Sequence, residues 1–114
     1  MKRLLWLDDR RNPFEGDWLK FSPIEKPFDT IWIKSYSEFV KWIKQNGLPD
    51  GICFDNDLGL DENPEKTGYD CAKWLVEYCL DNGIREIPKW NTQSSNPAGR
   101  DNINGLFVSF IKNN

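Results

Sequence analysis

Two pairs of acids stand where apolar runs break off. Asp8-Asp9 ends the run Leu4-Leu5-Trp6-Leu7, and Asp55 and Asp57 flank Asn56 directly after Ile52-Cys53-Phe54. Burying an unpaired charge is costly, so acids at such points either lie in solvated loops and helix caps or hold something cationic. If the two runs are neighbouring strands, three or four carboxylates meet in one crevice, and close carboxylates repel one another. Mg2+ would relieve that repulsion, because it takes hard oxygen ligands from a few carboxylates and leaves positions for phosphate oxygens. Asp8, Asp9, Asp55 and Asp57 are the candidate acids for such a site.

A second constellation is Gln93-Ser94-Ser95-Asn96-Pro97-Ala98-Gly99-Arg100. Hydroxyls and amides precede a helix whose first position is proline, so free backbone N–H groups at that helix tip face any visiting anion. Arg100 falls in the first turn, where a cation is unfavourable for the helix dipole unless an anion is present. Gln93, Ser94, Ser95, Asn96 and Arg100 are therefore candidate contacts to a phosphate. Arg11 offers a planar fork for the same group. Asn56 lies inside the acidic motif, and Thr67 is first a helix cap and second a ligand contact. Trp18 and Trp90 are core aromatics that could also flank a base or sugar.

These residues need elements to position them. Leu4–Leu7 and Ile31–Ile33 read as short buried strands, with Pro13, Pro23 and Pro27 keeping 10–28 mostly loop, apart from one helical turn. Ser35 with Glu38 has the form of a capping box, and Tyr36, Phe39, Val40 and Ile43 continue at helical spacing to Asn46-Gly47. Ile52–Asp55 is a third strand. Thr67 and Asp70 open a helix carrying Ala72, Leu75, Val76, Cys79 and Leu80, and Ile87–Gln93 is a fourth strand with Pro88 near its start. The last helix begins at Asn96-Pro97 and runs through Ile103, Leu106, Phe107 and Phe110. This alternation calls for an α/β fold: a three-layer sandwich around a short, mainly parallel four-stranded sheet. Ligands then gather at the carboxyl ends of the strands, where the acids and the Gln93–Arg100 segment fall.

At 114 residues the chain, 1–114, makes one domain. A net charge of −3 argues against broad binding to a nucleic-acid backbone, duplex DNA included. The start lacks a signal-peptide core and no apolar run approaches membrane-spanning length, so a cytoplasmic protein is expected. Cys53, Cys71 and Cys79 have no CxxC spacing and read as reduced core thiols. Histidine is absent, which removes the usual neutral-pH acid and base.

With these pieces assembled, the chain resembles receiver-like (flavodoxin-like) domains, and more closely the cyclic-phosphate processing receiver domains. The matching segments are Leu5-Trp6-Leu7-Asp8-Asp9-Arg10-Arg11-Asn12-Pro13, Phe54-Asp55-Asn56-Asp57-Leu58-Gly59, Thr67-Gly68-Tyr69-Asp70 with Ala72-Lys73-Trp74-Leu75, and Ser94 to Arg100. The resemblance implies a shortened receiver fold that handles a cyclic phosphate on a nucleotide or RNA end. It also places Asn56 and Gln93 where the family usually shows histidine, and neither amide exchanges a proton near neutral pH. Three readings follow. The first is hydrolysis assisted by Mg2+ held by Asp8, Asp9 and Asp55, with Asp8, Asp55 and Asp57 in catalytic roles and Asp57 the candidate base; the second is binding of the phosphate ligand without cleavage, and the third is phosphoryl acceptance at Asp55.

Overall fold

The computed structural model describes residues 1–58, 66–93 and 96–113. Its strands are β1 (Lys2–Leu7), β2 (Phe28–Ile33), β3 (Gly51–Phe54) and β4 (Lys89–Thr92), and its helices are α1 (Tyr36–Asn46), α2 (Gly68–Asp81) and α3 (Pro97–Lys112). One turn of 3-10 helix, Trp18–Phe21, interrupts the long β1–β2 connection. All strand pairings are parallel, in the order β2-β1-β3-β4.

The handedness of crossovers explains how the faces are covered. The connections β2-α1-β3 and β3-α2-β4 both move across the sheet in one direction, so right-handed crossovers put α1 and α2 on the same face. The β1–β2 connection moves the other way and must cover the opposite face. The packing follows. Leu5, Leu7, Ile52 and Phe54 point into a core shared with Phe39 and Ile43 of α1, Leu75 and Cys79 of α2, and Ile103 and Phe107 of α3. Leu4, Trp6 and Cys53 face the other way, against Trp18, Leu19, Phe21, Ile24, Phe28 and Trp32. The three layers are therefore helices, sheet, and a layer of irregular chain with a single helical turn. That second face is sealed by aromatics: Trp18 lies 6.5 Å from Trp6 and 6.2 Å from Phe21 between ring centroids.

Each helix starts on its own cap. Ser35 Oγ accepts the Glu38 N–H at 3.2 Å, while the Glu38 carboxylate reaches back to the Lys34 N–H at 3.1 Å. At α2 the reciprocal capping box is complete: Thr67 Oγ1 accepts from the Asp70 N–H and Asp70 Oδ2 accepts from the Thr67 N–H. Asn96 Oδ1 accepts the Gly99 N–H at 3.1 Å, and Pro97 occupies the first position of α3.

All four strands shift from their sequence expectation: β1 begins at Lys2 rather than Leu4, and β3 spans Gly51–Phe54 rather than Ile52–Asp55. β2 begins at Phe28 rather than Ile31, because as an edge strand it is only partly buried and its first half lacks an apolar run. β4 is confined to Lys89–Thr92, starting directly after Pro88, which has no N–H to give to a ladder. The three cysteines are free and buried, and burial pushes the Cys53 thiol up to about 12. Among the described residues no helix is long and apolar enough to cross a membrane.

Candidate functional site

The strand order reverses between β1 and β3, the place where an open α/β sheet leaves a crevice beyond its carboxyl ends. Leu7 of β1 is in register with Phe54 of β3, so the next residues, Asp8 and Asp55, emerge side by side. Both backbones stay tied to the ladder: Asp55 donates its N–H to Leu7 O at 2.9 Å, and Asp8 donates to Ile33 O at 3.0 Å. Asp8, Asp9 and Asp55 each bring a carboxylate oxygen within 4.8 Å of the other two.

Asp8 is 1% exposed. Its Oδ1 accepts the N–H groups of Arg10 (2.9 Å) and Arg11 (3.0 Å), which turns the chain sharply after β1. Its Oδ2 is buried without a hydrogen-bond partner, as is Asp9 Oδ1. The nearest cation to Asp8 Oδ2 is the Arg11 guanidinium at 3.7 Å, too long for a hydrogen bond. At this spacing and an effective dielectric of about 20, each like-charge pair costs on the order of 3 kcal/mol, and one guanidinium offsets only part of that. Hard oxygens clustered this closely, two of them buried without a hydrogen-bond partner, suit a small divalent cation. The Asp8-Asp9-Asp55 cluster can bind a metal ion.

Arg11 is fixed on several sides. Its carbonyl accepts from Trp6 Nε1 at 2.9 Å, its guanidinium donates to Gln93 O at 3.0 Å, and the same group lies 5.0 Å from the centre of the Trp18 ring. Trp18 is thus a platform for the site's arginine rather than for a base, a role for which the sequence spacing carries no signal. Gln93, at the end of β4, bridges the tops of the strands: its N–H goes to Phe54 O (3.0 Å) and its Nε2 to Leu7 O (3.4 Å), leaving Oε1 buried and unpartnered.

Asn56 is wedged between two helix starts. Its carbonyl accepts the Gly68 N–H at 2.8 Å, and its side chain occupies the space a Cβ on Gly99 would need, 2.5 Å from Asn56 Cγ. Gly99 permits this close approach. Gly68, which the sequence offers as part of the Thr67-Gly68-Tyr69-Asp70 segment, is buried against the Asp55 carbonyl and shapes the site. A glycine in the first turn of an otherwise good helix was the available signal.

The remaining candidates divide. Asp57 is exposed, accepts a 3.4 Å bond from Asn56 Nδ2, and is not among the three clustered acids. The Thr67 side chain is engaged in the α2 cap, and burial of its partner Asp70 is outweighed by the bonds from Thr67 and by Lys73 and Lys66, which hold that carboxyl below its ordinary value. Asn96 caps α3, and Arg100 is exposed one turn into it. Ser94 and Ser95 lie outside the described residues. Trp90 packs 5.0 Å from Phe107 and donates to Asn104 Oδ1, which makes it core.

The family profile described as cyclic-phosphate processing receiver domain matches residues 3–109, from β1 into the last turns of α3. The chain belongs to this family. Membership gives this receiver domain a role connected with cyclic-phosphate processing. No curated protein matches the chain. Among the described residues the receiver domain's sheet has four strands, and the ends of β1, β3 and β4 meet at the pocket.

Proposed function

We propose that this receiver domain holds Mg2+ between Asp8, Asp9 and Asp55 and hydrolyses a cyclic phosphate carried by a nucleotide or an RNA end. The observation that carries this reading is the convergence of three carboxylates at the strand-order reversal, with two buried oxygens that lack a hydrogen-bond partner. Bound there, Mg2+ would supply the charge that polarises a phosphoryl group. The chain's own residues would do the rest. Arg11, steadied by Trp18 and the Gln93 carbonyl, presents its remaining N–H groups to phosphate oxygens. The N-terminal tip of α3, with Arg100 in its first turn, offers a second anion contact. Asp57, exposed beside Asn56, is the carboxylate free of the cluster to take up a proton. The buried free thiols fit a cytoplasmic setting.

A second reading is supported by Asn56 and Gln93: both are amides at the pocket, and neither can shuttle a proton. On this reading the domain captures the cyclic phosphate without cleaving it. The deciding experiment presents a panel of 2′,3′- and 3′,5′-cyclic nucleotides with and without Mg2+, scoring binding and turnover separately. Mg2+-dependent turnover that disappears in Asp55→Asn supports hydrolysis. Tight binding with no turnover supports capture, and neither binding nor turnover overturns both.

A further inference from the structure

Four lysines gather at the pocket's rim and along α1. Lys34 directly follows Ile33, whose carbonyl accepts the Asp8 N–H, and Lys66 directly precedes Thr67, the cap of the helix whose first N–H bonds Asn56. Both ammonium groups lie over aromatic rings: Lys34 Nζ is 4.1 Å from the Trp32 ring centre and Lys66 Nζ 5.3 Å from that of Tyr36. Trp32 is itself tied to the site by a 2.7 Å bond from Nε1 to Asp8 O. Beyond them, Tyr36, Ser37, Val40, Lys41, Lys44 and Gln45 line a shallow groove of about 460 Å³ on α1. The acid of this stretch, Glu38, turns its carboxylate back onto the Lys34 N–H and Ser35 Oγ. Among the described residues, the four lysines against Glu38 and against Asp70, which faces Lys66, give the strip +2 in a chain whose net charge is −3. A cationic strip on an acidic molecule, beginning at the pocket, suits a polyanion attached to whatever enters the pocket.

We infer that Lys34, Lys66, Lys41 and Lys44 form a track for single-stranded RNA, so that the substrate is an oligonucleotide end rather than a free mononucleotide. This rests on the pocket reading above. Lysines resting on ring faces keep their charge in place for phosphates, since the cation–π contact holds the flexible stem without neutralising the ammonium. From Tyr36 to Gln45 the helix rises about 14 Å, enough to follow a short run of backbone.

The test compares an eight-nucleotide RNA ending in a 2′,3′-cyclic phosphate with the matching cyclic mononucleotide, in Mg2+, on the wild type and on Lys41→Gln/Lys44→Gln. The octamer is expected to bind about tenfold tighter or better, and the double variant to lose that advantage while binding the mononucleotide unchanged. Its plot of log affinity against log salt should flatten by about 1.4, for two lost single-strand phosphate contacts. Equal affinity for octamer and mononucleotide, an advantage that survives the double variant, or equally tight binding of a poly-aspartate peptide would overturn the track. A 3′-hydroxyl octamer bound equally well, still through Lys41 and Lys44 and indifferent to Asp55→Asn, would support the track and bring down the pocket reading alone.

Discussion

Replacing Gly68 with alanine puts a methyl group where the end of β3 already is. Its Cβ would overlap the Asp55 carbonyl oxygen and stand 2.9 Å from the Asp55 carbonyl carbon and 3.0 Å from Asn56 Cα. All three atoms are backbone, so no rotamer change makes room and α2 itself must move. Overpacking of this kind costs about 1–3 kcal/mol. The displacement also stretches the 2.8 Å bond from Gly68 N–H to Asn56 O, which adds about 0.5–1.5 kcal/mol. The expected loss is about 2–4 kcal/mol, or roughly 8–16 °C in melting temperature at about 4 °C per kcal/mol for a chain of this length. Gly105→Ala is the internal control. It lies within α3 with nothing within 4 Å of the added Cβ, and should stabilise by up to about 1 kcal/mol through helix propensity. Urea unfolding of both variants measures the difference. A Gly68→Ala protein within about 0.5 kcal/mol of the wild type would refute the close-approach argument.

Two further outcomes follow from the site and its supports. Asp55→Asn should leave unfolding by urea little changed and weaken Mg2+ binding by about tenfold or more, because it replaces a charged carboxylate ligand with a neutral amide while relieving self-repulsion in the cluster; calorimetry showing unchanged affinity would remove Asp55 from the ligand set. Asp70 has its carboxyl held below the ordinary 3.8, so its contribution is fully present above that pH and is lost as pH falls through the lowered folded value. Asp70→Ala should therefore cost about 1 kcal/mol at pH 7, and its stability curve should converge on the wild type in strong acid; curves that stay parallel would deny the carboxylate this role.

The helices were legible because their starts are written in local chemistry. Ser35, Thr67 and Asn96-Pro97 each mark a cap, and the helices begin at Tyr36, Gly68 and Pro97. The meeting of Asp8 with Asp55 was legible for a related reason: acids immediately after two buried runs become neighbours once those runs pair in register. Edge strands were harder, since the first half of β2 lacks the apolar run that marks a buried strand. Least legible were contacts that only the tertiary fold creates. Nothing in the spacing of Arg11 and Trp18 announces their stacking, and Asn56 as a wedge between Gly68 and Gly99 depends on where two distant helix tips arrive.

The irregular layer over the second face of the sheet has a consequence of its own. The stretch that roofs Trp6 with Trp18 and Phe21 also carries Arg11, whose carbonyl is pinned by the Trp6 indole and whose guanidinium leans on Trp18. Wall and tool are cut from one piece of chain. An insertion or graft in that segment cannot be judged by solubility alone, because reshaping the roof also re-aims the cation beneath it.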